Sequence, residues 1–158
     1  HVEHDSSLLV RHRAWARARS CLNMTAPREP SCPCGRTDLR QRPLAYTACC
    51  GRYLDGGLPA PDAESLMRSR YSAFVQGRAE HLLATWHPSR RPPSVAFEPH
   101  CKWLGLEVRD ARGTGQDQAE VRFVARWRIG GRAVRQHELS RFVREDGRWY
   151  YLDGDALP

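Results

Sequence analysis

Lysine is almost missing from this chain: Lys102 stands alone against 24 arginines. Such a skew follows from a GC-rich coding sequence more readily than from selection for nucleic-acid contact. No block of like charge is present either, because the basic residues are spread along the chain. The net charge of +7 and the pI near 9.5 therefore read first as a solvated, mixed-charge surface that attracts acidic partners. Also lacking is any apolar run of the roughly 20 residues that cross a bilayer, so no membrane contact is expected. No internal repeat is visible. The first 24 residues have no apolar segment of signal-peptide length, and the expected location is the reducing cytoplasm. What remains is 158 residues, 41% hydrophobic with five tryptophans, enough for one folded domain and a small appendage.

The opening stretch His1–Met24, with "LLVRHRAWARARSC", is rich in Arg and Ala and poor in acids. It reads as a transit peptide or as an upstream extension with Met24 as the working start. Residues 1–30 are accordingly expected to be a disordered extension, with "TAPREPS" as a linker.

Against this sparse background the cysteines are crowded. "SCPCG" places Cys32 and Cys34 one residue apart, and "TACCGRYLDGG" places Cys49 and Cys50 side by side. A bridge within either pair would be strained, and the expected compartment disfavours bridges between them. Redox pairs are usually CxxC at a helix start after a strand, and that context is missing. Four thiolates in two tight pairs suit one tetrahedral zinc ion, with Gly35 and Gly51 letting the backbone curl and aim its amides at the sulfurs. Zn2+ is the expected cofactor, in a closed site with no open position for catalysis. Four unremarkable thiols are the alternative. Such a module depends on metal to fold and is expected to do so apart from the core that follows. Cys21 and Cys101 read as ordinary free thiols.

After "YLDGGLPAP", Asp62 offers an N-cap to a helix from Ala63. Ala63, Leu66, Met67, Arg70, Tyr71, Phe74 and Val75 form its inward stripe, and Arg68, Ser69 and Gln76 face elsewhere. Gly77 suits its left-handed stop. A second short helix carries Ala79, Leu82, Leu83 and Trp86, with His87 as a cap before Pro88, and Ser89–Pro99 reads as loop. Then the period changes to two. "WLGLEVRD", "QAEVRFVARWRI", a strand around Ala133–Arg144 and "RWYYLD" form a four-stranded antiparallel meander, turned by Gly130-Gly131 and Asp146-Gly147. Helices before strands make this an α+β fold with helices on one face of the sheet.

"CPCG…YTACCGRYLDGG" resembles the SEC-C zinc motif, known from the tail of the translocation ATPase SecA, where it contacts the chaperone SecB. "AESLMRSRYSAFVQGRAEHLLATWHPS", "WLGLEV", "VRFVARWR", "HELSRF" and "DGRWYYLDG" make the likeness narrower: the chain resembles the bacterial YchJ family over about Cys32–Gly154. The resemblance implies a SEC-C module at 31–55 and a nuclear-transport-factor-2-like (cystatin-like cone) domain at 60–155. The spacing between the thiol pairs exceeds the usual SEC-C loop by an insertion near "TDLRQR". A second, C-terminal SEC-C motif of some relatives is absent. The family carries no settled activity; the zinc module implies a protein partner.

Cone folds often enclose a pocket, which Tyr71, Trp86 and Trp103 would help line. With Gly130-Gly131 in two-residue register, Trp127 pairs with Val134, Ala125 with Gln136, Phe123 with Glu138 and Val121 with Ser140. Gln136, Glu138 and Ser140 then fall on the apolar face, and a carboxylate there can act as an acid or base. The structural expectation is that Glu138 pairs with Arg70 or Arg141. His137 falls on the opposite face. No nucleophile–base pair is evident, so no catalytic residue is assigned. Three functions follow in order: a zinc-binding protein that docks a partner, an enzyme acting on a small apolar molecule, and a ribosome- or nucleic-acid-associated protein. The last is disfavoured because the Tyr and Trp residues sit at core spacing, not in a stacking row.

Overall fold

The computed structural model describes residues 27–158, so the expected extension falls almost wholly outside the described residues. The thiol-bearing segment is a small loop closed by bridges between Ser31 and Ala45 and between Thr37 and Pro43. A 3-10 turn, Tyr46–Ala48, leads to a one-turn helix, α1 (Gly51–Leu54). Two helices follow, α2 (Ala63–Gln76) and α3 (Ala79–Ala84). Four strands complete the chain: β1 (Lys102–Gly115), β2 (Gln118–Ile129), β3 (Arg132–Glu145) and β4 (Arg148–Ala156). They pair antiparallel in the order β1-β2-β3-β4. No helix among the described residues is long and apolar enough to cross a membrane.

The ends of α2 are set by local chemistry. Asp62 accepts the Ser65 amide at 2.7 Å, satisfying one of the donors that a helix start leaves unpaired. Gly77, at φ 68°, turns the chain out in the left-handed conformation that costs glycine least. Between these ends α2 is buried more completely than a single apolar stripe predicts: Ser69 and Ser72 are both fully enclosed. The reason is packing on three sides, since the sheet, α3 and the cysteine loop all touch this helix. Ser69 Oγ donates to Leu66 O at 2.8 Å and lies 2.9 Å from His81 Nε2 on α3, and Ser72 Oγ lies 3.7 Å from Cys32 Sγ.

That last contact corrects the expectation of two separate cores. Cys32, Cys34, Cys49 and Cys50 belong to one buried cluster with Leu66, Met67, Tyr71, Val121, Phe123 and Phe142. Polar ties reinforce the seam: Arg36 bridges Glu64 at 3.0 Å, and Arg68 donates to Cys34 O at 3.0 Å.

In the sheet, Gly130 and Gly131, both at positive φ, close the β2–β3 hairpin with Trp127 opposite Val134, Ala125 opposite Gln136, Phe123 opposite Glu138 and Val121 opposite Ser140. β1 runs further than expected, to Gly115, with register shifts at Trp103/Gly105 and Val108/Asp110. A further shift at Arg141/Phe142 brings Tyr151 opposite Phe142. α3 ends before Trp86, which pairs with Tyr151 in an isolated parallel bridge. His87 is therefore no helix cap. Its amide donates to Tyr151 O at 2.7 Å and its Nε2 meets Glu145 Oε1 at 2.8 Å, tying the loop to the β3–β4 hairpin.

Candidate functional site

Two arrangements carry chemistry. The first is the cysteine knuckle. Its four sulfurs lie within 4.8 Å of one another, all four residues are buried, and Cys34 Sγ is 3.6 Å from Cys49 Sγ. A tetrahedral zinc with Zn–S near 2.3 Å needs sulfurs about 3.8 Å apart, so the donor set fits that ion in number, spacing and softness. The thiols share protons unequally: hydrogen bonds from Cys34, then Cys49 and Cys50, hold Cys32 low, while the bond with Cys32 is the leading cause that pushes Cys34 and Cys50 up. Gly35 does take the left-handed turn, at φ 74°. Its amide, however, bonds Cys32 O, and the amides aimed at the Cys32 and Cys34 sulfurs are those of Cys34 and Arg36. Gly51 serves by close approach: a Cβ there would lie 2.7 Å from Tyr46 O.

The second arrangement is a cavity of about 620 Å³ between α2 and the sheet, bounded on its outer side by residues 96–101. Tyr71, Trp86, Trp103, Gln136, Glu138 and Ser140 all line it, with Phe74, Phe97, Trp127 and Tyr151 completing an aromatic wall. The rings interlock: Tyr71 stands edge-on to Trp103 at 5.4 Å, Trp103 packs on Trp127 at 5.2 Å, and Trp86 meets Tyr151 at 5.2 Å. Cys101, read as an ordinary thiol, also lines the cavity.

Glu138 is the acceptor on this wall. Gln136 Nε2 donates to Oε2 at 2.6 Å, and Ser140 Oγ and Tyr151 Oη donate to Oε1 at 2.8 and 3.2 Å. The expected pairing with arginine is absent. Arg141 lies on the far face of the sheet, bound to Asp153 and Asp155 at 2.5 and 2.6 Å. Arg70, 4% exposed, points its Nη1 at Leu82 O and Thr85 Oγ1, both at 2.8 Å, at the carbonyl end of α3. Its charge is stabilised there by the helix dipole and by the faces of Tyr151 and Trp86, 4.5 and 5.1 Å away. Burial pushes Arg70 down to about 10, and the Tyr151 and Glu138 charges act in the other direction. Burial first, then the nearby Glu138 charge, pushes the Tyr151 phenol up, keeping it a donor. Trp86 adds an indole N–H that is buried without an acceptor among the described residues.

Sequence reasoning missed Tyr151 and the packing role of Arg70. The first depends on the β3–β4 register shift, and no local pattern announces it. Gly154 carries a signal that sequence can supply, since a glycine inside a strand marks close approach. It lies opposite Ser140, and a Cβ there would overlap Glu138 Oε1.

Comparison with known proteins gives this geometry its family. Residues 62–154 match the family described as YchJ, middle NTF2-like domain. The chain belongs to the YchJ family. A UPF0225 protein from Polaromonas sp. is 65% identical over 128 residues, covering 79% of this chain and 92% of the relative. One from Methylibium petroleiphilum is 61% identical, covering 80% and 89%. Among solved structures, a SEC-C motif containing protein from Rhodopseudomonas palustris superimposes with a TM-score of 0.68 at 30% identity, covering 82% of this chain and all of that one. Another from Psychrobacter arcticus gives 0.66 at 30% identity, covering 81% and 83%. The fold is thus α+β, a four-cysteine knuckle followed by an NTF2-like domain, as the YchJ resemblance implied.

Proposed function

We propose that this YchJ-family chain binds one structural zinc ion through Cys32, Cys34, Cys49 and Cys50, and holds a small, largely apolar molecule in the cavity, oriented by Glu138. The observation that carries the reading is a carboxylate on an aromatic wall with three donors and, among the described residues, no cation bonded to it. A core needing only stability would gain as much from an apolar side chain there. Zinc is supported by four buried sulfurs within 4.8 Å of one another and by likeness to SEC-C proteins. The closed ligand set makes it a strut for the fold rather than a catalyst.

The test compares naphthalene with 2-naphthol, which adds one O–H donor to the same body, by quenching of tryptophan fluorescence. A hydrogen bond to a charged acceptor contributes about 1.5–3 kcal/mol, so the naphthol should bind roughly 10- to 100-fold more tightly. Glu138→Gln should collapse that preference while leaving naphthalene binding intact. The same variant should cost only about 1–2 kcal/mol of stability, since Gln136 can turn its amide to meet the new side chain. A loss of about 3–5 kcal/mol would mean that Arg70 depends on Glu138 as a buried ion pair. Metal analysis of reduced protein should find one zinc per chain.

A second reading, protein docking through the knuckle, is favoured by Leu39, which is fully exposed at the tip of the inserted loop. The loop is well braced: Asp38 Oδ1 accepts the Arg40 and Arg42 amides at 2.8 and 3.0 Å. Leu39→Ser should abolish capture of a specific cytoplasmic protein without altering zinc content; an unchanged captured set would reject docking at this loop.

A further inference from the structure

The outer face of the sheet, turned away from the cavity, divides sharply in charge. Around the middle and toward the β1–β2 turn each cation faces an acid: Arg112 bonds Glu120 at 3.0 Å, Arg141 holds Asp153 and Asp155, and Arg122 stands directly opposite Asp110 in the register. At the other end, beside the β2–β3 hairpin, the pattern reverses. Arg126 lies directly opposite Arg135, and Lys102, the chain's one lysine, lies directly opposite Arg128. All four are exposed. The remaining position in the row, across from Arg126 on β1, is Gly105 and supplies no counter-charge. Glu107 is the one acid in reach, at 3.4 Å from Arg126, and it is shared with Arg109 at 3.2 Å. Among the described residues Lys102, Arg128 and Arg135 have no acidic partner within bonding distance.

Like charges directly opposite on neighbouring strands destabilise a sheet. Alternation requires only polar residues at these positions, and any mixture of Gln, Thr and Glu would satisfy it. Four cations held against that cost, of which Arg126 alone has an acid within bonding distance, on a face where Arg112, Arg122 and Arg141 each have an acid bonded or directly opposite, mark a surface that is complete only when an anion covers it.

We propose that this end of the outer face binds the phosphate backbone of a nucleic-acid duplex. Phosphates are favoured over an acidic protein by what the face omits. The aromatic side chains of β1–β3 (Trp103, Phe123, Trp127 and Phe142) all belong to the core or the cavity side. Protein interfaces draw most of their energy from a few desolvated anchors, often Trp or Tyr, and this patch offers neither. Backbone recognition needs cations alone, through release of condensed counterions. The same omission removes any platform on which unpaired bases could stack, which favours a duplex over a single strand. Binding is then independent of sequence and strongly salt-dependent.

The test uses the full chain and a fluorescein-labelled 20-base-pair duplex of mixed sequence, followed by anisotropy from 50 to 200 mM salt. Four engaged cations give a slope of log K against log salt near −3.6, which is about a 150-fold loss across that range. Arg128→Gln with Arg135→Gln should halve the slope, leaving about a 12-fold loss, with stability in urea equal to or above that of the original chain, because one cation leaves each like-charge pair. Arg40→Gln with Arg90→Gln removes the same charge elsewhere and should keep the original slope. The proposal is overturned by absence of binding at 50 mM, by equal effects of the two double variants, or by a slope that survives loss of Arg128 and Arg135. It is also overturned if poly-glutamate displaces the duplex at equal charge concentration, the result expected of a site for acidic protein.

Discussion

Alanine at position 154 measures how firmly the Glu138 carboxylate is held. Gly154 sits on β4 opposite Ser140, and an added Cβ would overlap Glu138 Oε1 and stand 2.8 Å from Cδ and 3.1 Å from Cγ. Oε1 accepts from both Ser140 Oγ and Tyr151 Oη. The methyl group cannot enter without drawing that oxygen away from both donors. Two bonds to a charged acceptor set an upper bound of about 6 kcal/mol. The displaced carboxylate can swing into the cavity and be hydrated, which brings the expected loss to about 2 kcal/mol. Backbone strain adds nothing, because Gly154 is not among the positive-φ residues. Alanine should instead recover about 0.5 kcal/mol by restricting the unfolded chain. A double-mutant cycle in urea separates these contributions. In a Glu138→Ala background the obstacle is gone, and Gly154→Ala should become neutral to slightly stabilising. The same 2 kcal/mol loss in both backgrounds would refute the reasoning, since the glycine would then be required by something other than the carboxylate.

Two further outcomes are expected. Cys50→Ser should lower the melting temperature of the whole chain in a single transition, by more than about 10 °C, because the fully buried thiol shares a core with α2; calorimetry resolving two transitions, the larger at the original temperature, would show that the knuckle melts alone. His81 is pushed down to about 4, by burial first and then by the Arg70 and Arg78 charges. A histidine depressed on folding takes up its proton more readily when unfolded, so its contribution is intact above about pH 6.5 and is lost as pH falls through 4, by roughly 3 kcal/mol in all. His81→Gln should flatten the stability profile in that window, and an unchanged acid limb would place the titrating group elsewhere.

Local rules made much of the fold legible. Asp62 and Gly77 mark the ends of α2 because capping is decided within a turn, and Gly130-Gly131 fixes which residues of β3 face inward because a two-residue hairpin admits one register. The candidate cavity residues follow from that register. What stayed hidden depends on distant segments meeting. Ser69 and Ser72 look like surface positions until the cysteine loop and α3 enclose them. Arg70 offers an obvious partner for Glu138 until α3 presents the carbonyl end that receives it. The basic end of the outer face is equally invisible in one dimension, since Lys102, Arg126, Arg128 and Arg135 come together only across three strands.

The enclosure of α2 has a thermodynamic consequence. One side of this helix carries Ser72 and Arg68, in contact with Cys32 and with the Cys34 carbonyl; another carries Arg70, Tyr71 and Phe74, which line the cavity. Under the proposed function, whatever a metal contributed to fixing the pitch and azimuth of α2 would be work that a cavity ligand no longer had to perform. By reciprocity the ligand would return the same free energy to the metal. Occupancy of the knuckle and occupancy of the cavity, on opposite flanks of one fourteen-residue rod, would thereby be two readings of a single coordinate.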